Sequence, residues 1–458
     1  MSYKTINPAN NTLIKNWPDH DAQYVGKALT IADDLYHSSW SKGPIQPRVQ
    51  VLQKLARLID DRAEELSKAA SVEMGKLIGQ SRAEVKLCAQ IARYYAENAE
   101  RFLAPTRYPG ERGEAWVENH PIGVLVAVEP WNFPFYQLMR VLAPNLAAGN
   151  PVLAKHAANV PHCATLFEEL VLEAGAPKGA WTNLFVSNDQ IASLIADDRV
   201  QGAALTGSER AGSAVAQQAG KYLKKTTLEL GGNDVFVVLD DCDLDKAVKA
   251  GVSARLSNCG QVCTAAKRFL VHEKVADAFL EKFTQAFREV KTGDPLDEST
   301  TLGPLSSSSA RDTLAKQVDD AVANGAKLHL GGKAVEGDGC FYQPTILSGI
   351  TRDNPAWFEE FFGPVAQIYI VKNDDDVVKL ANDSHYGLGG SIFTRDIERG
   401  KQLASRIETG MVYINSSTNT SAELPFGGVK RSGYGRELSD LGIKEFVNQK
   451  LVVVSSES

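Results

Sequence analysis

The chain has 458 residues, of which 43% are apolar and 23% charged, and a formal net charge of −7. That length is more than one hydrophobic core serves, so two or three domains are expected. The acidic balance argues against nucleic acid as a partner, and no uninterrupted apolar run is long enough to span a bilayer.

Residues 48–103 repeat apolar side chains every three or four positions, with Leu52, Leu55, Leu58 and Ile59 as the clearest set. This predicts helix, begun after Gly43-Pro44 and Pro47. Tyr108-Pro109-Gly110-Glu111-Arg112-Gly113-Glu114 breaks the pattern and predicts a hairpin tip. A lone hairpin buries little surface, so a partner subunit or domain is expected against it. Short apolar runs at 123–128, 151–154 and 200–205 alternate with helical stretches at 163–174 and 211–222. That alternation predicts a doubly wound parallel sheet. A second alternating series runs from Val235 to Ile414, interrupted by serines 306–309, which predict a surface loop. Residues 446–454 predict a strand able to pair with the early hairpin.

Six cysteines show no disulfide framework, and eight scattered histidines show no ligand spacing, so no metal is expected. A reducing cytoplasm is the expected setting, where a reactive thiol persists.

Ser257-Asn258-Cys259-Gly260-Gln261-Val262-Cys263 puts a cysteine in a polar, glycine-containing turn. A thiol attacks a carbonyl as thiolate, and its free pKa is about 8.5, so it needs a base or a favourable field. Glu229, in Leu228-Glu229-Leu230-Gly231-Gly232, is a candidate base, and the two glycines predict backbone passing close to another group. Thr264-Ala265-Ala266-Lys267 is read as the start of a short helix whose dipole favours the thiolate. Cys259 is read as a packed neighbour, with a reversible disulfide to Cys263 as a hypothesis; unchanged oxidation sensitivity in Cys259→Ala would remove it. Asn132, in Glu129-Pro130-Trp131-Asn132-Phe133-Pro134, is a candidate oxyanion donor together with the Cys263 N–H. Ser208, after Leu205-Thr206-Gly207, is a candidate N-cap at a helix start that offers donors to phosphate. Lys155, ending Val152-Leu153-Ala154, is placed for ribose or phosphate.

Together, Pro130-Trp131-Asn132-Phe133-Pro134, Lys155, Thr206-Gly207-Ser208, Glu229-Leu230-Gly231-Gly232, Gly260-Gln261-Val262-Cys263, Glu360-Phe361-Phe362-Gly363-Pro364 and Pro425-Phe426-Gly427-Gly428 stand in family order. In these motifs the chain resembles the aldehyde dehydrogenase superfamily over essentially its whole length. The resemblance implies an α/β fold in three parts. These are a Rossmann-like cofactor domain (1–107 and 125–230), an α/β catalytic domain (231–430) and a small β oligomerisation element (108–124 and 431–458).

The resemblance also implies Cys263 as nucleophile, Glu229 as base and Asn132 as oxyanion donor, with Trp131, Lys155, Ala158, Gly207, Ser208, Glu360 and Phe362 at NAD or NADP. Ala158 stands where many NAD-preferring members carry a glutamate on the ribose hydroxyls, so both nucleotides are expected to be used. Within the superfamily the chain is most similar to bacterial succinate-semialdehyde dehydrogenases. Arg140 matches an arginine for the substrate's distal carboxylate, with Thr420, Ser421 and Phe426 beside it, although a second arginine of that group is Ser257 here. The implied partners are a small-molecule aldehyde and further copies of the chain, as homodimer or homotetramer. Another semialdehyde or an aliphatic aldehyde is the rival substrate. A coenzyme-A-acylating enzyme is disfavoured by Glu229, and a non-catalytic scaffold by the intact Cys263, Glu229 and Asn132.

Overall fold

Two parallel sheets hold the chain's longest apolar runs, because strands covered on both faces have no solvent side to alternate with. The computed structural model describes residues 3–111 and 113–455; Arg112, in the expected hairpin tip, lies outside them. One sheet has six strands in the order Gly433–Tyr434, Lys225–Glu229, Val200–Thr206, Val124–Glu129, Val152–His156 and Trp181–Asn183. All pair in parallel except Gly433–Tyr434, which runs antiparallel to Lys225–Glu229. The other sheet has seven strands, centred on Val235–Val238 and Arg268–His272, whose residues are all buried.

The helical region is three helices, Gln46–Asp61, Ala63–Met74 and Ile78–Leu103, with Gly75 ending the second in left-handed backbone. Their apolar faces join the six-stranded sheet in one core. The helix Pro134–Ala148 runs through that core with every residue buried. A separate core, rich in phenylalanine, fills the seven-stranded half, where Phe236, Phe269, Phe279 and Phe283 meet ring to ring.

The tail pairs with the early hairpin as expected: Val447–Ser455 lies antiparallel to Gly113–Pro121, which also pairs with Thr106–Tyr108. Within 431–455, Gly433–Tyr434 adds to the six-stranded sheet and Val447–Ser455 joins the hairpin. Two features depart from the sequence reading. Tyr3–Asn7 and Thr12–Trp17 form an N-terminal hairpin that the pattern did not reveal. Serines 306–309 are not a free surface loop: Ser306 is buried, and Ser307 caps the helix Ser308–Ala323 by accepting from Ala310 N.

Candidate active site

Parallel strands of an open sheet end on one edge, and the loops that leave them there enclose a crevice. At that edge of the six-stranded sheet lies a cleft of about 280 Å³. It brings together the expected nucleophile Cys263, base Glu229 and donor Asn132, along with Trp131, Gly207, Ser208, Glu360 and Phe362. A larger hollow of about 710 Å³ lies elsewhere, between the helical layer and the three-stranded sheet, and holds none of these residues.

The turn before Cys263 is sharp because Asn258 and Cys259 both take left-handed backbone, at φ 50° and 53°, and Gly260 follows at 74°. Asn258 Nδ2 donates to Asn132 O at 2.8 Å, and Asn132 Nδ2 donates to Gln261 O at 3.1 Å. The turn and the loop carrying Asn132 are thus held together by reciprocal amide bonds. Gln137, one helical turn further on, donates its Nε2 to Asn132 Oδ1 at 3.3 Å and fixes which way that amide faces. Sequence reading missed Gln137, whose signal was only that it is one of three polar residues, with Arg140 and Asn145, on a fully buried helix.

No helix follows Cys263; the chain makes a turn and enters Arg268–His272. The expected dipole is replaced by the buried ammonium of Lys267. Its Nζ donates to Val262 O at 2.9 Å and to Cys263 O, and pairs with Glu360 Oε1 at 2.9 Å. Burial pushes the Cys263 thiol up to about 12, against the pull first of Lys267 and then of Arg140. The resting group is a thiol that needs a base. Cys259 and Cys263 are both free, and they lie against different cores, Cys259 on the seven-stranded side.

Glu229 ends its strand with 2% exposure, and among the described residues neither carboxyl oxygen has a hydrogen-bond partner. Burial, then the negative charge of Glu437, hold its pKa well above the usual carboxylate range, while Arg140 pulls the other way. The glycines after it mark close approaches. A Cβ on Gly231 would sit 2.3 Å from Glu360 Oε2, and one on Gly232 would sit 2.6 Å from Cys263 O. That is the near passage the glycine pair predicts.

Several groups fit a nicotinamide nucleotide. Ser208 caps the helix Glu209–Lys221 at the cleft wall, leaving the helix start directed at the cavity. Glu360 commits Oε1 to Lys267 and to Gly232 N at 3.1 Å. Trp131 and Phe362 meet edge to face at 5.8 Å. The Lys155 ammonium is buried, 5.6 Å from the Tyr3 ring centre, and burial alone lowers its pKa, so among the described residues no carboxylate competes for it. Ala158 lies outside the 280 Å³ cleft, in a neighbouring groove with Lys4 and Asn159. Ser187-Asn188-Asp189-Gln190 forms a capping box at the start of Asn188–Ala196.

The expected carboxylate receptor, Arg140, has its guanidinium engaged by other groups of the chain. Arg140 is 2% exposed and is not on the cleft. Its guanidinium pairs with Glu437, donates to Thr206 Oγ1 at 2.8 Å and to Tyr136 OH at 3.2 Å, and lies against the Phe426 ring. A guanidinium so occupied has its donors engaged within the chain in this conformation. Phe426 is buried on it, Ser421 Oγ is buried without a partner, and Thr420 faces the Tyr136 hydroxyl; none of the three lines the cleft.

Fold and site together define an α/β enzyme with a cysteine and a buried carboxyl group on one crevice at the edge of a parallel sheet. Residues 1–452 match the aldehyde dehydrogenase family, and the chain belongs to it. It is 47% identical to a succinate-semialdehyde dehydrogenase [NADP(+)] of Deinococcus radiodurans, covering 98% of this chain and 94% of that protein. It is 43% identical to a succinate semialdehyde dehydrogenase [NAD(P)+] of Escherichia coli, covering 98% and 97%. A crystal structure of succinic semialdehyde dehydrogenase from Streptococcus pyogenes with NADP+ superposes with a TM-score of 0.98 at 47% identity, covering 99% and 100%.

Proposed function

We propose that this enzyme oxidises succinate semialdehyde to succinate, with NADP or NAD as hydride acceptor. The named relatives support the substrate and the nucleotide. The observation that carries the chemistry is the convergence of Cys263, Glu229 and Asn132 on one cleft.

Glu229 takes the thiol proton as Sγ adds to the aldehyde carbon. Asn132 Nδ2 keeps a second N–H beyond its bond to Gln261 O and offers it, with the Cys263 N–H, to the oxyanion. The bound nucleotide supplies the hydride acceptor. Loss of hydride from the adduct leaves a thioester on Cys263. Glu229, having released its first proton to solvent, takes another from water as the water oxygen adds to the acyl carbon. The C–S bond then breaks and the acid leaves.

Lys155 and the start of Glu209–Lys221 are read as ribose and phosphate contacts, and Ala158 as the position that spares a 2′-phosphate from repulsion. In this reading residues 1–107 and 125–230 hold the nucleotide, 231–430 hold the nucleophile, and the three-stranded sheet joins subunits as dimer or tetramer. Exposed Leu451, Val453 and Val454 on its edge strand support that last assignment. A cytoplasmic setting belongs to the same reading and is supported by six free cysteines. Among the described residues no helix is long and apolar enough to cross a membrane.

Rapid mixing with NADP and succinate semialdehyde tests the proposal. A burst of reduced nucleotide and a kcat/KM at least about tenfold above that of an uncharged aldehyde of equal length are expected. No burst with any aldehyde refutes the chemistry, and equal kcat/KM values refute the substrate.

A further inference from the structure

The cleft at Cys263 is small for a whole dinucleotide: about 280 Å³, against about 300–1,000 Å³ for the site of a drug-sized ligand. Two further hollows continue it. One of about 350 Å³ adjoins the cleft at Trp131 and Phe362, which line both. The next, of about 450 Å³, shares Asn159, Ser306, Ser307 and Ser309 with it and ends against the N-terminal strand Tyr3–Asn7. The three follow one another as a trough from the nucleophile to Ala158 and Lys4.

The N-terminal strand is fixed on both sides of Lys4. Tyr3 is fully buried, and its hydroxyl accepts from Val186 N at 3.1 Å and donates to Val186 O at 2.9 Å. Thr5, also buried, donates to Glu73 Oε1 and accepts from Trp17 Nε1 at 2.9 Å. Side chains alternate along a strand, so Lys4 points away from this anchored face and into the outermost hollow. Lys4 N donates to Ala158 O at 3.0 Å, which sets the two positions side by side. Among the described residues Lys4 is the only charged residue lining the two outer hollows, and no carboxylate lines either. Its ammonium has no ion pair and no hydrogen bond among the described residues.

We infer that Lys4 is a specificity-determining residue for the nucleotide: its ammonium pairs with the 2′-phosphate of NADP, a group that NAD lacks. The adenosine ribose carries that phosphate, at the end of the dinucleotide away from the nicotinamide. With the nicotinamide beside Cys263, the adenosine end falls in the outermost hollow. There a phosphate monoester, largely dianionic at neutral pH, meets one unclaimed cation, serine hydroxyls and no acid. A lysine suits this place because a point charge on a flexible stem pairs with a phosphate without a fixed fork geometry. Ala158 leaves the phosphate unopposed, and Lys4 adds the attraction.

This inference rests on the reading of the trough as the nucleotide site, and the experiment separates the two. Quenching of protein fluorescence would be titrated with NADPH and with NADH for wild type, Lys4→Met, Lys4→Arg and Lys4→Glu. Lys4→Met should raise the NADPH Kd about tenfold, as for loss of one charge-assisted bond, with the NADH Kd within about twofold of wild type. Lys4→Arg keeps the charge and should stay within about threefold for both nucleotides. Lys4→Glu sets a carboxylate against the phosphate and should raise the NADPH Kd about a hundredfold. Added salt should weaken NADPH binding to wild type more than to Lys4→Met, a difference that a purely structural lysine would not produce. An unchanged NADPH Kd in Lys4→Met, or a loss shared equally by NADH, would overturn the role of Lys4. A wild type that binds neither nucleotide would overturn the nucleotide reading of the trough itself.

Discussion

Among the described residues no hydrogen bond joins Gln137 to Cys263, yet replacing Gln137 by leucine should slow the reaction without unfolding the protein. Its Nε2 donates to Asn132 Oδ1 at 3.3 Å, while Asn132 Nδ2 donates to Gln261 O at 3.1 Å. The two bonds define one orientation of the Asn132 amide. A flipped amide would set its oxygen against the Gln261 carbonyl. Losing the Gln137 bond removes about 0.5–1.5 kcal/mol of that preference, which corresponds to an approximately 2- to 12-fold fall in kcat/KM. The ceiling is loss of the Asn132 donor altogether, about 100- to 1000-fold.

Stability should hardly move. Among the described residues Gln137 Oε1 is buried without a partner, so leucine removes one unpaired acceptor while leaving Asn132 Oδ1 without its donor, and the two changes offset at similar volume. A change within about 1 kcal/mol is expected. Gln137→Glu makes the opposite case. An ionised carboxylate there has no donor and repels Asn132 Oδ1, so its loss should approach the ceiling. Steady-state kinetics and urea unfolding on the same preparations decide the matter. Wild-type kcat/KM in Gln137→Leu, or a fall in stability that matches the fall in activity, would refute the reasoning.

Arg140→Ala should cost about 3–5 kcal/mol in denaturant unfolding, because it strands buried Glu437, and should depress charged and neutral aldehydes alike; selective loss on carboxylate-bearing aldehydes would instead establish a receptor role. Inactivation by iodoacetamide should be slow at neutral pH and rise by about tenfold per pH unit, since the thiolate population grows toward a thiol pKa of about 12; a plateau near pH 8 would contradict the burial argument. Gly231→Ala puts a Cβ 2.3 Å from Glu360 Oε2 and should weaken nucleotide binding by about tenfold in a fluorescence titration, while succinate semialdehyde KM stays level. Ala158→Glu should lower the NADP-to-NAD ratio of kcat/KM by about tenfold or more, and an unchanged ratio would place the 2′-phosphate elsewhere.

What the chain reveals before folding is whatever is decided within a few neighbouring residues. Val235-Phe236-Val237-Val238 reads as a doubly covered strand because nothing in it tolerates water, and all four residues are buried. Gly231-Gly232 reads as a close approach because any side chain there meets Glu360 or the Cys263 carbonyl. Thr264 to Lys267 misled for a related reason. The residue types suit a helix start, but Lys267 is drawn inward to Glu360 and the next strand begins at Arg268. Ser307 likewise looks like loop until Ala310 N is seen donating to it.

Arg140 marks where local reading stops. Its residue type and position suggested a carboxylate receptor, and it does bind a carboxylate, that of Glu437 from the far end of the chain. The same holds for the base. Glu129, Thr206, Glu229 and Glu437 come from four separate segments, and only tertiary structure sets three carboxyl groups around one guanidinium. A glutamate beside two glycines can be named a base from sequence, but whether it carries a proton is decided by neighbours that sequence does not place. Its reactivity is therefore a property of the assembled sheet edge, and substitutions behind the cleft should alter it as surely as substitutions within.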